Sequence, residues 1–479
     1  MKSKTFLSDD FLLRSSTARR IYHEYAAALP IIDYHCHIPV SVININNPLT
    51  DITDIWLSGD HYKWRLMRLC GHSEDLITGN ADNEAKFAAW ADTIERCPGN
   101  PLYHWTHMEL MKYFDCDELL TSSNASKIYR HCNRILSSGN ITPQKIIYDS
   151  NVRLLCTTDD PADDLKHHSA LNVPGKMDTK VLPTFRPDKY LKINSEDFTD
   201  KIVSLCSVRN ISSIDLNGVT DALSASLDHF SKAGCISADF GLDKIPFHKK
   251  RFQVSSVKAV FEKRIAGKKV SEDESDLYVS YIMTFLASEF SQRGWTMMLH
   301  VGASRNVNSR AFNKFGPDYG FDSILSDTGM KGLSLFLDDL EKRGILPKTI
   351  LFSLSPNDDA LIDTLCGCFY AQGVRGLVQH GVAWWFNDTL EGIRDHLINY
   401  ASLGVLGNHL GMLTDSRSLL SYVRHDYFRR ILCDLLGGWI DDGMMHYPDD
   451  KLAALITGIC FGNIESYLNS GSLVSGPAG

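Results

Sequence analysis

"LPIIDYHCH", residues 29–37, breaks a short apolar run with a tyrosine and two histidines one residue apart. Apolar runs that end abruptly in polar side chains are the signature of buried parallel strands delivering residues to a rim. Seven more follow: "RLLCTT" (153–158), "KVLPTF" (180–185), "CISADF" (235–240), "TMMLHVG" (296–302), "TILFSLS" (349–355), "RGLVQHG" (375–381) and "LGMLTDS" (410–416). Helical-period segments lie between them. "SDLYVSYIMTFLASEFSQRG" precedes the fifth run and "SILSDTGMKGLSLFLDDLEKRG" the sixth, each closing on the glycine common at helix C-termini. Eight strands alternating with helices predict an α/β fold of the (β/α)8 TIM-barrel type. An open doubly wound sheet is the alternative, but "HCHIPVSVIN" after the first strand lacks the glycine-rich dinucleotide fingerprint that such a sheet would favour.

The chain of 479 residues suits one large barrel carrying insertions. More than a hundred residues separate the first two strands and read mainly as helix, in "HYKWRLMRLC", "NEAKFAAWADTIERC", "LYHWTHMELMKYF" and "ASKIYRHCNRILSSG". The organisation expected is a single barrel over 1–479 with a helical insertion at 41–150, a smaller helical excursion near 190–230, and helices after 417. Hydrophobic residues make up 44% and charged residues 22%, the balance of a soluble globular protein. A net charge of −9 and the lack of any basic run argue against a nucleic-acid partner. Charges interrupt the N-terminus before a signal core can form, and no apolar stretch reaches the about 18 residues of a membrane span, so a cytoplasmic protein with no membrane partner is expected. Twelve scattered cysteines, the closest pair being Cys366 and Cys368, carry no repeated zinc spacing and are read as reduced, mostly buried thiols.

With 18 histidines, chance alone supplies roughly 0.7 H-x-H occurrences, so context must carry the motif. On a strand His35 and His37 share one face and Cys36 takes the other, which puts two imidazoles within reach of a single cation at the strand's C-terminal end. Two hydrogen-bonded rim histidines without metal are the bland alternative. His300 ends the fifth strand and Asp415 the eighth. Singly, such residues are ordinary core histidines or helix caps. Together the four make an N/O donor set for zinc or a similar divalent ion. Arg186, Arg305 and Arg417 lie just beyond strand ends; guanidinium groups there suit a small carboxylate, and no phosphate-cradling loop accompanies them. Solvated loop salt bridges are the competing reading of each.

At this point "DYHCH", "GDHYKWR", "GNPLYHWTH", "TTDDP", "RPDK", "WWFND" and "MLTDSRS…YFRRILC" resemble uronate isomerase (glucuronate isomerase), a family of the amidohydrolase superfamily, from "FLSDDFLL" to "CFGNIESYL". The resemblance implies a distorted (β/α)8 barrel that interconverts D-glucuronate with D-fructuronate and D-galacturonate with D-tagaturonate. It implies His35, His37 and Asp415 as metal ligands, with His300 as a fourth ligand or a partner of bound water. It makes Asp415 the proton carrier, Arg417 a stabiliser of the enediolate, and His61, Tyr62, Arg186, Arg305 and Trp384 the lining of the sugar pocket. For Trp384 and its neighbour Trp385, packing beside a strand is the competing reading. A carboxylate bound tightly to a dication is a poor base, so Asp415 can serve both roles only through loose or one-oxygen ligation. One departure stands out: where the family often has "SDH", this chain reads "ISADFGLD", with Phe240 after Asp239. That lowers the role expected of this strand end.

Independently of the resemblance, moving a carbonyl from C1 to C2 needs one base on one face, and a cation or donors near the enediolate. The rival expectation is a metal-dependent hydrolase of the same superfamily, using nearly the same four residues; the arginines suit a free acid better than a neutral ester. A non-catalytic metal-binding barrel is the remaining class. A homo-oligomer is expected from resemblance and from the prevalence of symmetric assemblies.

Overall fold

The structure, a computed structural model, describes residues 6–247, 253–327 and 329–469. The two ends of the expected 1–479 unit, residues 1–5 and 470–479, lie outside the described residues. Among the described residues there are nine strands: β1 (Ile31–Asp33), β2 (Val152–Cys156), β3 (Lys180–Leu182), β4 (Ser237–Gly241), β5 (Thr296–Val301), β6 (Ala303–Ser304), β7 (Ser323–Ile324), β8 (Thr349–Ser353) and β9 (Val378–His380). They form an α/β fold with parallel sheets: β1-β2-β3 in one, β4-β5-β8-β9 in the other, and a small antiparallel β6–β7 pair. β5 and β8 are buried at every position, as expected of parallel strands covered on both faces.

The two parallel sheets touch through a bridge between Phe185 and Ala238. There the Phe185 amide donates to the Ser237 carbonyl at 3.2 Å, and the Asp239 amide to the Phe185 carbonyl at 3.0 Å. At the opposite side, segment 410–416 is not a regular strand, although its sequence reads as one. It nonetheless runs beside the continuation of β1, with the Asp415 amide on the His35 carbonyl at 3.1 Å and the His37 amide on the Ser416 carbonyl at 2.9 Å. The physical cause of the irregularity is backbone: Gly411 (φ +75°) and Asp415 (φ +45°) adopt left-handed conformations that interrupt a ladder. Thr414 instead fastens the segment by donating its amide and hydroxyl to the Asp33 carboxylate at 2.8 and 2.6 Å.

Between β1 and β2 the chain is helical, including His61–Leu69, Asn83–Glu95, Pro101–Phe114 and Ala125–Leu136. Local signals account for their starts: Asp60, Asp82 and Asn100 each accept a first-turn amide, and Pro101 fits the first turn, where its missing N–H costs nothing. The segment before β5 forms helix Glu272–Arg293, opened by the reciprocal Ser271/Glu274 cap and closed by Gly294 at φ +69°. The segment before β8 departs from expectation at its beginning: Ser323–Ile324 pair with β6, and the helix runs from Met330 to Lys342.

Two apolar cores result. In one, the helices between β1 and β2 pack with β1 and helix Val423–Asp441 through residues such as Trp56, Trp90 and Tyr427. In the other, Phe185, Phe230, Phe290 and Trp295 join β4 and β5 to the helices outside them. Truncating one such ring to alanine removes about 3–5 kcal/mol. All twelve cysteines are free thiols, eight of them buried. Among the described residues no helix is long and apolar enough to cross a membrane.

Candidate metal centre and active site

β1 stops at Asp33, so His35 and His37 lie beyond the strand in irregular backbone and not, as the sequence suggests, on adjacent pleats. They still converge. His35 Nε2 is 3.2 Å and His37 Nε2 3.0 Å from the same oxygen, Asp415 Oδ1. What brings the carboxylate there is the pairing of segment 410–416 with this stretch, together with the left-handed backbone of Asp415. Holding a non-glycine residue in that conformation costs about 1–3 kcal/mol and is typical of functional positions. Cys36 is fully buried and takes no part, as the sequence indicates.

The protonation pattern follows from burial and charge. Burial pushes His37 down to about 4, leaving it neutral near pH 7. Burial also works against a charged Asp415, yet the hydrogen bonds of His35 and His37, the latter where no cation lies between, hold it well below the usual carboxylate range. His35 is likewise opposed by burial but ends raised, because Asp239 and Asp415 favour its cation. The donor set suits a divalent ion: one nitrogen from each histidine and one Asp415 oxygen lie within 4.8 Å of one another, and His35, Asp239 and His300 make an adjoining group of the same kind. His35 Nδ1 and His300 Nε2 are buried without a hydrogen-bond partner among the described residues.

Asp239 is the central residue that sequence reading passed over. Its Oδ1 is 2.7 Å from His300 Nδ1, and its Oδ2 2.9 Å from Arg186 Nη1. Burial opposes its charge, but Arg186, His35 and His300 hold its carboxyl far below the ordinary range. The departure at Phe240 therefore does not empty this strand end. β4 alternates, sending Asp239 to the site and Phe240 outward, 6.0 Å from the Phe290 ring; that alternation was the available signal. Gly241 follows because a side chain there would meet the Arg186 guanidinium at 2.4 Å. The His300 ring stacks flat on Phe352 at 4.3 Å, and Gly381 leaves the space: a Cβ would fall 2.0 Å from the Phe352 ring.

The opposite wall comes from helix His61–Leu69 and the segment after β9. Asp60 caps the helix through the Tyr62 and Lys63 amides, which fixes His61 and Tyr62 at its first turn. Trp384 donates its indole N–H to Asp415 Oδ2 at 2.7 Å, and the Tyr62 hydroxyl approaches the same oxygen at 3.5 Å. Arg305 lies over the Trp385 ring at 5.0 Å, with Asp318 and Asp322 each 3.7 Å away. Arg417 is exposed and has no ion pair among the described residues. All ten residues singled out from sequence, His35, His37, His61, Tyr62, Arg186, His300, Arg305, Trp384, Asp415 and Arg417, line one cavity of about 610 Å³.

A further group with metal-capable spacing, Asp359, His380 and His396, lies behind β9. Its tautomers speak against a cation. The Gly411 amide donates to His409 Nδ1 at 3.0 Å, so His409, kept neutral by burial, carries its proton on Nε2 and donates to His396 Nε2 at 3.1 Å. His396 then turns an N–H, not a lone pair, outward from Nδ1.

A metal-capable histidine–carboxylate cluster facing a cavity with arginines defines an acid–base enzyme for small anionic substrates. The chain matches the glucuronate isomerase family over residues 3–468. It is 44% identical to the uronate isomerase of Halalkalibacterium halodurans over 464 residues, covering 97% of this chain and 98% of that protein. Identity to the uronate isomerase of Clostridium acetobutylicum is 44% over 471 residues, covering 98% and 100%. The crystal structure of the uronate isomerase from Thermotoga maritima superposes with a TM-score of 0.91 at 32% identity, covering 97% and 100%. The glucuronate isomerase from Caulobacter crescentus, at 24% identity, shares the fold with a TM-score of 0.88, covering 99% and 98%. The chain belongs to the glucuronate isomerase family. Its activity is uronate isomerisation, and the hydrolase reading is not favoured.

Proposed function

We propose that the protein interconverts D-glucuronate with D-fructuronate, and D-galacturonate with D-tagaturonate, in hexuronate catabolism, through an enediol intermediate. The observation that carries this reading is the division of labour within Asp415: Oδ1 faces the imidazoles, while Oδ2 faces Trp384 and Tyr62 in the cavity. Oδ2 takes the proton from C2 of the open-chain aldose and returns it to C1, as the hydroxyl proton of O2 passes to O1. Arg417 offsets the negative charge that develops between. His61, Tyr62, Arg186, Arg305 and Trp384 hold the sugar, which fits a sugar-acid substrate.

His35, His37 and Asp415, with His300 beside them, would hold a divalent ion, for which zinc suits the N/O donors best. When bound, such an ion supplies positive charge to an adjoining oxygen of the substrate. The strands are assigned to a distorted (β/α)8 barrel, supported by the Phe185–Ala238 bridge and by the contact of segment 410–416 with β1. Residues 41–150 are assigned as an insertion in one barrel. A cytoplasmic homo-oligomer without nucleic-acid or membrane partners is part of the same reading. The test is metal analysis and ketose formation from glucuronate and galacturonate on one preparation. Stoichiometric divalent metal with ketose formed from either acid supports it; a protein inert toward both acids sinks it.

A further inference from the structure

We propose that Thr158 is a positioning residue: its hydroxyl fixes the tautomer of His37, so that His37 offers a bare Nε2 to the metal. The inference rests on the metal reading above and extends it to a residue outside the ligand set. A hydroxyl has one proton. Thr158 Oγ1 lies 3.3 Å from the Cys36 carbonyl, which can only accept, and 2.9 Å from His37 Nδ1. With the hydroxyl proton on the carbonyl, the oxygen lone pair receives Nδ1–H from His37. A neutral imidazole holds one N–H, so Nε2 is left with its lone pair, facing Asp415 Oδ1 at 3.0 Å. Two bare acceptors at that separation repel unless a cation lies with them.

The brace is built by the sheet. The Cys36 amide donates to the Cys156 carbonyl at 3.0 Å and the Thr157 amide to the Leu182 carbonyl at 3.0 Å, which fixes Thr158 against Cys36 and His37. Of the other two histidines, His300 is braced by the Asp239 carboxylate instead, and His35 Nδ1 is 4.0 Å from Asp239 Oδ2, too far for a hydrogen bond. Removing such an outer partner commonly lowers metal affinity about 10–100-fold.

The test compares zinc affinity, by competition with a chromophoric chelator at fixed pH, among the unmodified protein, Thr158→Val and Thr158→Ser. The expected result is about 10–100-fold weaker binding for valine and near-normal binding for serine. Equal affinity for valine, or serine as weak as valine, overturns the proposal. An unmodified protein that takes up no zinc sinks the metal reading itself, which separates the two failures. Histidine ¹⁵N spectra of the zinc-loaded unmodified protein, with His37 assigned from a His37→Gln sample, read the same point even if valine fails to fold: zinc on Nε2 with Nδ1 protonated is required, and zinc on Nδ1 overturns it.

Discussion

Trp384 donates its indole N–H to Asp415 Oδ2 at 2.7 Å. The carboxylate proposed as base therefore has its cavity-side oxygen aimed by a neighbouring donor before any sugar arrives. A hydrogen bond to a charged group is worth about 1.5–3 kcal/mol, or roughly 10–100-fold in rate if it acts on the reacting carboxylate. Trp384→Phe keeps a ring against His300, 4.8 Å away, but removes the donor. The expected outcome is a 10–100-fold lower kcat with unchanged metal content, measured by isomerase assay and elemental analysis.

Asp415→Asn removes the proposed base outright. General-base loss costs about 10²–10⁴-fold in turnover. Exchange of the substrate C2 proton with deuterated solvent should fall along with ketose formation. Exchange at the normal rate would move the base elsewhere.

Gly381→Ala drives a methyl into the Phe352 ring, since its Cβ would lie at 2.0 Å. Overpacking of this kind costs about 1–3 kcal/mol. Because Phe352 carries the His300 ring, activity should fall more than stability accounts for. Adding Phe352→Leu should restore the melting temperature more fully than the turnover.

The pH dependence of stability has a source behind β9. Burial and the neighbouring carboxylates raise Asp359 to about 7, against an unfolded value near 3.8. The folded protein thus binds more protons than the unfolded chain between those limits, and this contribution, complete below about pH 4, is lost as pH climbs to about 7. Asp359→Asn lacks the loss. Relative to the unmodified protein it should gain about 2–4 kcal/mol between pH 4 and 7. Melting curves across that range check the sign.

Chelation should lower the melting temperature as well as the activity, because an ion that binds only the folded state stabilises it by mass action, about 2.7 kcal/mol at a hundredfold excess over Kd. Restoring a divalent ion should recover both. A melting temperature indifferent to chelator would mean that the histidine pair holds no ion.

Much of this site was legible because it rests on residue type at strand ends: His300 ends an apolar run, and Asp415 and Arg417 follow another. His35 and His37 converge as pleat neighbours would, but from irregular backbone, since β1 is three residues long and the histidines lie past it. In segment 410–416 only Gly411 marks the break locally; the left-handed backbone of Asp415, held by pairing with the continuation of β1, has no mark in its residue type. Asp239 was missed by weighing its neighbour Phe240 when the alternation of β4 already separated the two. Thr158, inside the quoted "TTDDP", had no visible partner, because a hydrogen bond to His37 spans 121 positions.

That span is typical of the cavity. Tyr62 meets Asp415 across 353 positions, and Thr414 reaches Asp33 across 381. A ribosome-bound chain shorter than about residue 415 can carry both histidines but has no carboxylate to set between them. The cluster is complete only once residues 410–416 have been made and have closed on the continuation of the first strand.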